Sequence, residues 1–144
     1  MTKKDNYLFD NIFAPFCESE KIFLINDEYE ISYLKFNKIV NQIANTLVSK
    51  GLKVGNRVAV QAEKSVIQIA LYVATIKAGG IYLPLNTGYT TNELDYFIND
   101  SSSSIVIVDS KIENKLKEIL DNQNIIFLTL NSDCLLYTSP SPRD

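Results

Sequence analysis

The side chains best placed to do chemistry sit in three short loops that follow predicted strands. Ala62-Glu-Lys-Ser65 puts an ammonium and a hydroxyl at a predicted helix start, where free backbone N–H groups favour an anion. A serine N-cap flanked by solvated charges accounts for the same residues, and the Gly-rich cradle that would grip a phosphate is missing. Pro84-Leu-Asn-Thr-Gly-Tyr-Thr90 is a polar loop able to shape a pocket mouth, and turn and cap chemistry also explains each of its residues. Asp109-Ser110 offers one carboxylate at a strand end, suited to a ribose hydroxyl or a metal, and equally to an N-cap loop. Cys17, between Phe16 and Glu18, has no cationic neighbour to lower its pKa and reads as a partly buried thiol rather than a nucleophile.

The chain has no histidine, which removes His-activated nucleophiles, His-ligated zinc and His acid–base work at neutral pH. Its five glycines (51, 55, 79, 80, 88) form neither G-x-G-x-x-G nor G-x-x-x-x-G-K-[ST], so no phosphate-binding loop is encoded. Cys17 and Cys134 lie too far apart in sequence for a metal-ligand spacing. From the residues alone no catalytic, cofactor-binding or metal-ligating constellation is assigned, and the chain by itself is expected to bind no cofactor.

The elements that hold these loops are legible from pattern. Residues 21–32 read as a hairpin, with Ile22-Phe-Leu-Ile25 going out, Asn26-Asp27 turning and Tyr29-Glu-Ile31 returning. Ser32 stands as an N-cap, and Phe36, Ile39, Val40, Ile43 and Leu47 mark one face of the following helix. Gly51 ends it, and Arg57-Val-Ala-Val-Gln61 is the next strand. Three segments match the capping-box pattern: Ser65-Val-Ile-Gln68, Thr90-Thr-Asn-Glu93 and Ser110-Lys-Ile-Glu113. Each opens a helix, and the strands Ile81-Tyr-Leu83, Ile105-Val-Ile-Val108 and residues 125–130 alternate with them. The uninterrupted apolar run at 105–108 is what a parallel strand covered on both faces requires. The expected class is α/β: part of an open, mostly parallel sheet flanked by helices, with an N-terminal β-hairpin.

Composition sets outer limits. The 144 residues suit one domain, and 46% hydrophobic content is enough to fill a core. A net charge of -3 without a basic stripe argues against nucleic acid or an anionic membrane as partner. The longest nearly uncharged stretch, 65–76, is too short to span a bilayer, and Asp10 interrupts the only candidate leader. A reduced, cytoplasmic setting is the expectation.

The last eleven residues, Cys134-Leu-Leu-Tyr-Thr-Ser-Pro-Ser-Pro-Arg-Asp144, differ in style from the rest. The chain before them is rich in Ile, Asn and Lys; the tail has none of these and holds two of the four prolines. It resembles one reading frame of a transposase-type sequencing-library adapter. Residues 134–144 are therefore set apart from fold reasoning as a non-native tail, and 1–133 are expected to be the front portion of a domain that continues.

Three segments, in order and at this spacing, carry a family resemblance: Tyr29-Glu-Ile-Ser-Tyr-Leu-Lys-Phe36, Gly51-Leu-Lys-Val-Gly-Asn-Arg-Val-Ala-Val60 and Ile76-Lys-Ala-Gly-Gly-Ile-Tyr-Leu-Pro-Leu85. They resemble the opening of adenylate-forming enzymes, the AMP-dependent synthetases and ligases. Gln61-Ala-Glu-Lys-Ser65 and the span 83–97, with Asn86-Thr87 where Asp-Pro is common, look most like the malonyl-CoA synthetase branch. Lys35 stands where Glu is frequent, and Gly88 where Ala is usual. The resemblance implies a parent that uses ATP, Mg²⁺ and coenzyme A to convert a carboxylate through an acyl-adenylate to an acyl-CoA. The family's phosphate loop, metal-binding Glu and catalytic Lys correspond to no residue here, so the chain alone is expected to be inactive. Two alternatives stand beside this: an adenylation domain for another acyl group or an amino acid, and a stand-alone, non-catalytic α/β binding module.

Overall fold

Short apolar runs alternating with capped amphipathic segments fold into a five-stranded sheet with helices on both faces. The computed structural model describes residues 6–120, 123–131 and 134–138. A small antiparallel pair, β1 (Ile22–Ile25) and β2 (Glu30–Ser32), forms the expected hairpin, turned by Asn26, whose Oδ1 accepts from the Glu28 and Tyr29 N–H groups. Before it lies a helix that the sequence pattern does not reveal, α1 (Tyr7–Ile12). Six residues are too few to be helical alone; this helix is held by Asn6, whose side chain caps Phe9 N and donates to Ile76 O at 2.6 Å, and by burial of Phe9.

The main sheet runs β4 (Ile81–Pro84), β3 (Arg57–Gln61), β5 (Ile105–Asp109), β6 (Ile126–Asn131), β7 (Cys134–Thr138). The first four are parallel, with Ala59 opposite both Leu83 and Val106, and Ile107 opposite Leu128. Pro84, which lacks an N–H, is tolerated because β4 is an edge strand. The segment set apart as a tail contributes β7, antiparallel to β6. An exposed strand edge presents unpaired N–H and C=O groups that any nearby extended segment can satisfy, so pairing there does not depend on the origin of 134–138.

Two helices, α2 (Tyr33–Ser49) and α3 (Val66–Lys77), cover one face. Phe36, Val40, Ile43, Leu47, Leu71 and Ala74 pack there with Val58, Val60, Ile105, Ile107 and Leu128. The other face is covered by α4 (Thr91–Asp100) and α5 (Glu113–Leu120), through Leu94, Ile98, Leu116 and Leu120 against Ala59, Val106 and Val108. Alternate residues of β3 and β5 therefore enter opposite cores, as the unbroken apolar runs require.

The caps differ in detail from their sequence signatures. Thr90 and Glu93 form a complete capping box, and the hydrogen bonds from the Thr90 N–H and hydroxyl hold the Glu93 carboxyl below its usual pKa. Ser65 caps Gln68 N at 3.1 Å, but Gln68 does not return the bond: its Nε2 donates to Tyr82 Oη instead. The third box is not formed. A short 3₁₀ turn at Ser110–Ile112 precedes α5, and Asp109 occupies the cap position without capping through its side chain.

Helix α3 ends in a Schellman motif, with Gly80 N on Thr75 O and Gly79 N on Ile76 O, both at 2.9 Å. Gly79 takes a φ of +85°, and a Cβ there would lie 2.9 Å from a Val54 methyl, which explains a glycine at the junction of helix and sheet. Helix α4 ends the same way but places Ser102 in the left-handed region, at φ 51°. That conformation costs an L-residue about 1–2 kcal/mol, partly offset by the extra freedom glycine has when unfolded. Ser102→Gly is expected to stabilise the fold by about 0.5–1 kcal/mol, read as a higher urea midpoint; a lower midpoint would contradict this reading of the turn.

Candidate functional site

The order β4-β3-β5-β6 contains one reversal. From β3 the chain crosses to β4 on one side, then returns past β3 to β5 on the other, with α3 and α4 on opposite faces. Loops diverge at such a switch point and leave a crevice beyond the carboxyl ends of the strands, the usual ligand position in open α/β sheets. A cavity of about 70 Å³ lies there, lined by Gln61, Glu63, Thr87, Asp109, Lys111 and Ile112.

Gln61 closes β3 and is buried, at 4% exposure. Its Nε2 donates to Asn86 O at 2.8 Å, which fixes the amide plane, and its Oε1 is buried without a hydrogen-bond partner. Asp109 closes β5, and its Oδ2 accepts from Glu63 N at 2.8 Å, tying the two loops together across the switch point. Thr87 approaches from the loop after β4, where Asn86 Oδ1 accepts from Gly88 N at 2.8 Å. A Cβ on Gly88 would sit 3.3 Å from that Asn86 oxygen, close enough that the loop would need to give slightly.

The structure brings Asp109 and the 84–90 loop into one site, together with Glu63, and places the other sequence candidates elsewhere. Lys64 and Ser65 border a separate groove of about 380 Å³ between the hairpin and α3, with Leu24, Ile25 and Tyr29 among its walls. Ser65 Oγ is occupied by its cap there. Cys17 donates to Phe13 O at 3.4 Å beside a small apolar cavity under Phe9 and Phe36. Burial pushes its thiol pKa up. The structure does supply a cation that the local sequence does not show, since Lys77 pulls the other way, but burial dominates. Lys77 itself sits over the Phe9 ring and donates to Asn41.

Sequence reasoning does not single out Gln61 and Thr87 as partners in one site. The available signal is a polar amide closing the apolar run Val58-Ala-Val60, which on a central strand covered on both faces demands a partner. Among the described residues no group of three or more acidic, histidine or cysteine side chains could hold a metal ion. No helix among the described residues is long and apolar enough to cross a membrane.

Comparison with known proteins places this geometry. The model of the AMP-binding enzyme family matches residues 15–141. MatB from Rhodopseudomonas palustris, solved without ligand and with ATP bound, is 40% identical over 90% of this chain, with a TM-score of 0.83. A plipastatin synthase from Bacillus subtilis is 32% identical over 94% of the chain, and a probable CoA ligase of Humulus lupulus, CCL9, is 27% identical over 91%. The chain spans 26% of the MatB chain, 25% of CCL9 and 6% of the plipastatin synthase. The match to the family model over most of its length, on an α/β fold shared with MatB, shows that the chain belongs to the AMP-binding enzyme family.

Proposed function

We propose that this chain is the front part of an AMP-forming acid–CoA ligase whose substrate is malonate. In that reaction the carboxylate attacks the α-phosphate of ATP, pyrophosphate leaves, and the thiol of coenzyme A then displaces AMP to give the acyl-CoA. The observation that carries this reading is the 40% identity to MatB over 90% of the chain; the resemblance of the Asn86-Thr87 loop to that of malonyl-CoA synthetases agrees with it. The ATP-bound form of MatB supports ATP as the activating nucleotide.

The residues of this chain do not themselves fit the nucleotide or its Mg²⁺. The switch-point crevice, at about 70 Å³, is well below the roughly 300 Å³ that a small-molecule site needs. The larger groove offers one ammonium and no backbone cradle. The proposed role of 1–133 is therefore structural: Gly79 and Pro84 shape the sheet, and the chemistry belongs to chain that follows. Residues 134–144 are proposed to derive from an adapter, and the setting to be cytoplasmic.

A second reading has its own support, since the plipastatin synthase matches nearly the whole chain at 32% identity. On that reading the parent is a peptide-synthetase adenylation domain that activates an amino acid. The two separate in one assay on the protein encoded by the native locus read through residue 133. Coenzyme A thioester formation is expected with malonate at roughly a hundredfold or more over acetate, because a site that pairs a second carboxylate rejects an acid lacking it. Amino-acid-dependent ATP turnover without a coenzyme A thioester would replace the ligase reading with the second.

A further inference from the structure

The helices that flank the sheet differ in what they turn outward. The exposed side of α2 is polar, with Lys35, Lys38, Gln42 and Asn45, and that of α5 carries Asn114, Lys115 and Glu118. Helix α3 breaks the pattern. It has no charged residue before Lys77, and its inner side buries Ala70, Leu71, Val73 and Ala74. Ile69 and Tyr72 stand exposed on the outer side. A helix apolar on both sides is composed for protein on both sides. At twelve residues it is too short for a bilayer to be the reason.

The apolar surface continues off the helix. Val66 and Ile69 form one wall of the groove of about 380 Å³, and Leu24, Ile25 and Tyr29 of the hairpin form the other. Ile25 is 72% exposed and Tyr29 45%, a contiguous apolar patch of the kind that marks a contact surface. The chain spans 26% of MatB and 25% of CCL9, so in a ligase of that length about three-quarters of the polypeptide lies outside it. Strand β6 ends at Asn131, on the same carboxyl edge of the parallel sheet as the end of β3, which leads to the groove at Lys64. Two strand spacings, about 10 Å, separate β6 from β3. Chain continuing from there reaches the groove within a few extended residues.

We propose that the hairpin and the outer side of α3 form an intramolecular docking face, covered in the longer protein by an apolar segment of the polypeptide that follows residue 133. This rests on the reading of the chain as the front part of a ligase. It makes α3 an internal element, with the sheet on one side and later chain on the other. The polar outer side of α2 stays in solvent.

The test is alkylation of cysteine variants of the protein encoded by the native locus read through residue 133, quantified peptide by peptide by mass spectrometry. Ile25→Cys and Ile69→Cys report on the two walls of the groove, and Lys38→Cys on the polar side of α2. Ile25 is the sharper reporter, because an uncovered thiol there would react as freely as one at position 38. The Ile69 variant keeps the test decisive if the hairpin is disturbed. Both groove thiols are expected to react at least about tenfold more slowly than the thiol of Lys38→Cys, at every protein concentration, since access limits the rate. Either groove thiol reacting as fast as that control would overturn the proposal. Protection lost on dilution would overturn it in favour of a second copy, and a locus that ends at residue 133 would leave no occupant. Coenzyme A thioester formation with malonate, measured on the same protein, separates this proposal from the ligase reading. Activity with open groove thiols retains the ligase and discards the docking face; protected thiols without activity do the reverse.

Discussion

Leu71→Ala is expected to cost about 3–5 kcal/mol of stability, the largest single-residue effect on the fold that we anticipate. Leu71 is fully buried on α3, in the core that also receives Phe36 and Ile43 from α2 and Val58, Val60 and Ile107 from the sheet. Truncation removes three carbon atoms from the site, and a close-packed core bounded by a sheet collapses only partly around the gap. Lost transfer free energy and the remaining cavity therefore add. Val48→Ala on α2 is the matched control. Val48 is 55% exposed, and alanine's better helix propensity offsets the little packing lost, so its effect should stay within about 0.5 kcal/mol. Chemical denaturation of the two variants checks the pair. Equal losses would mean that the face covered by α2 and α3 is not the core described here.

The parts of this fold that follow local rules could be read from the residues. Asn26-Asp27 announced the hairpin turn, and the 3.6-residue spacing from Phe36 to Leu47 gave the buried face of α2. The run at 105–108 gave a strand covered on both sides, with four residues fully buried. What escaped was set by partners distant in sequence. Helix α1 depends on Asn6 reaching Ile76 O, seventy positions away. Gln68 has the sequence of a capping-box partner, yet Tyr82 on β4 competes successfully for its amide. Asp109 has the sequence of a helix cap, but its carboxylate serves Glu63 N across the switch point, forty-six positions back. The candidate site failed to declare itself for the same reason. Gln61, Thr87 and Asp109 belong to the ends of three different strands or the loops after them, and only the strand order brings them together.

The second large effect concerns activity. Adenylyl transfer needs donors and a metal fixed around the phosphates, and a cationic side chain where charge develops in the transition state. This sequence has no histidine and no Gly-rich phosphate loop. Its described residues contain no metal-capable trio of side chains, and Lys64 beside a capped helix start can attract an anion without aligning it. Positioning supplies much of the barrier reduction in such reactions, so attraction alone contributes little. The 144-residue chain should thus be inert, although we propose that it is the front part of a ligase.

Whether this chain is the scaffold portion of a malonate-activating enzyme is decided by malonate-dependent ATP–pyrophosphate exchange. It would be measured side by side on the 144-residue chain and on the protein read through the native locus past residue 133. Exchange is expected to be indistinguishable from the no-enzyme background for the chain, and at least about 10⁶-fold above the uncatalysed rate for the longer protein. Malonate-dependent exchange by the 144-residue chain alone, or none by the longer protein with malonate, would overturn that assignment.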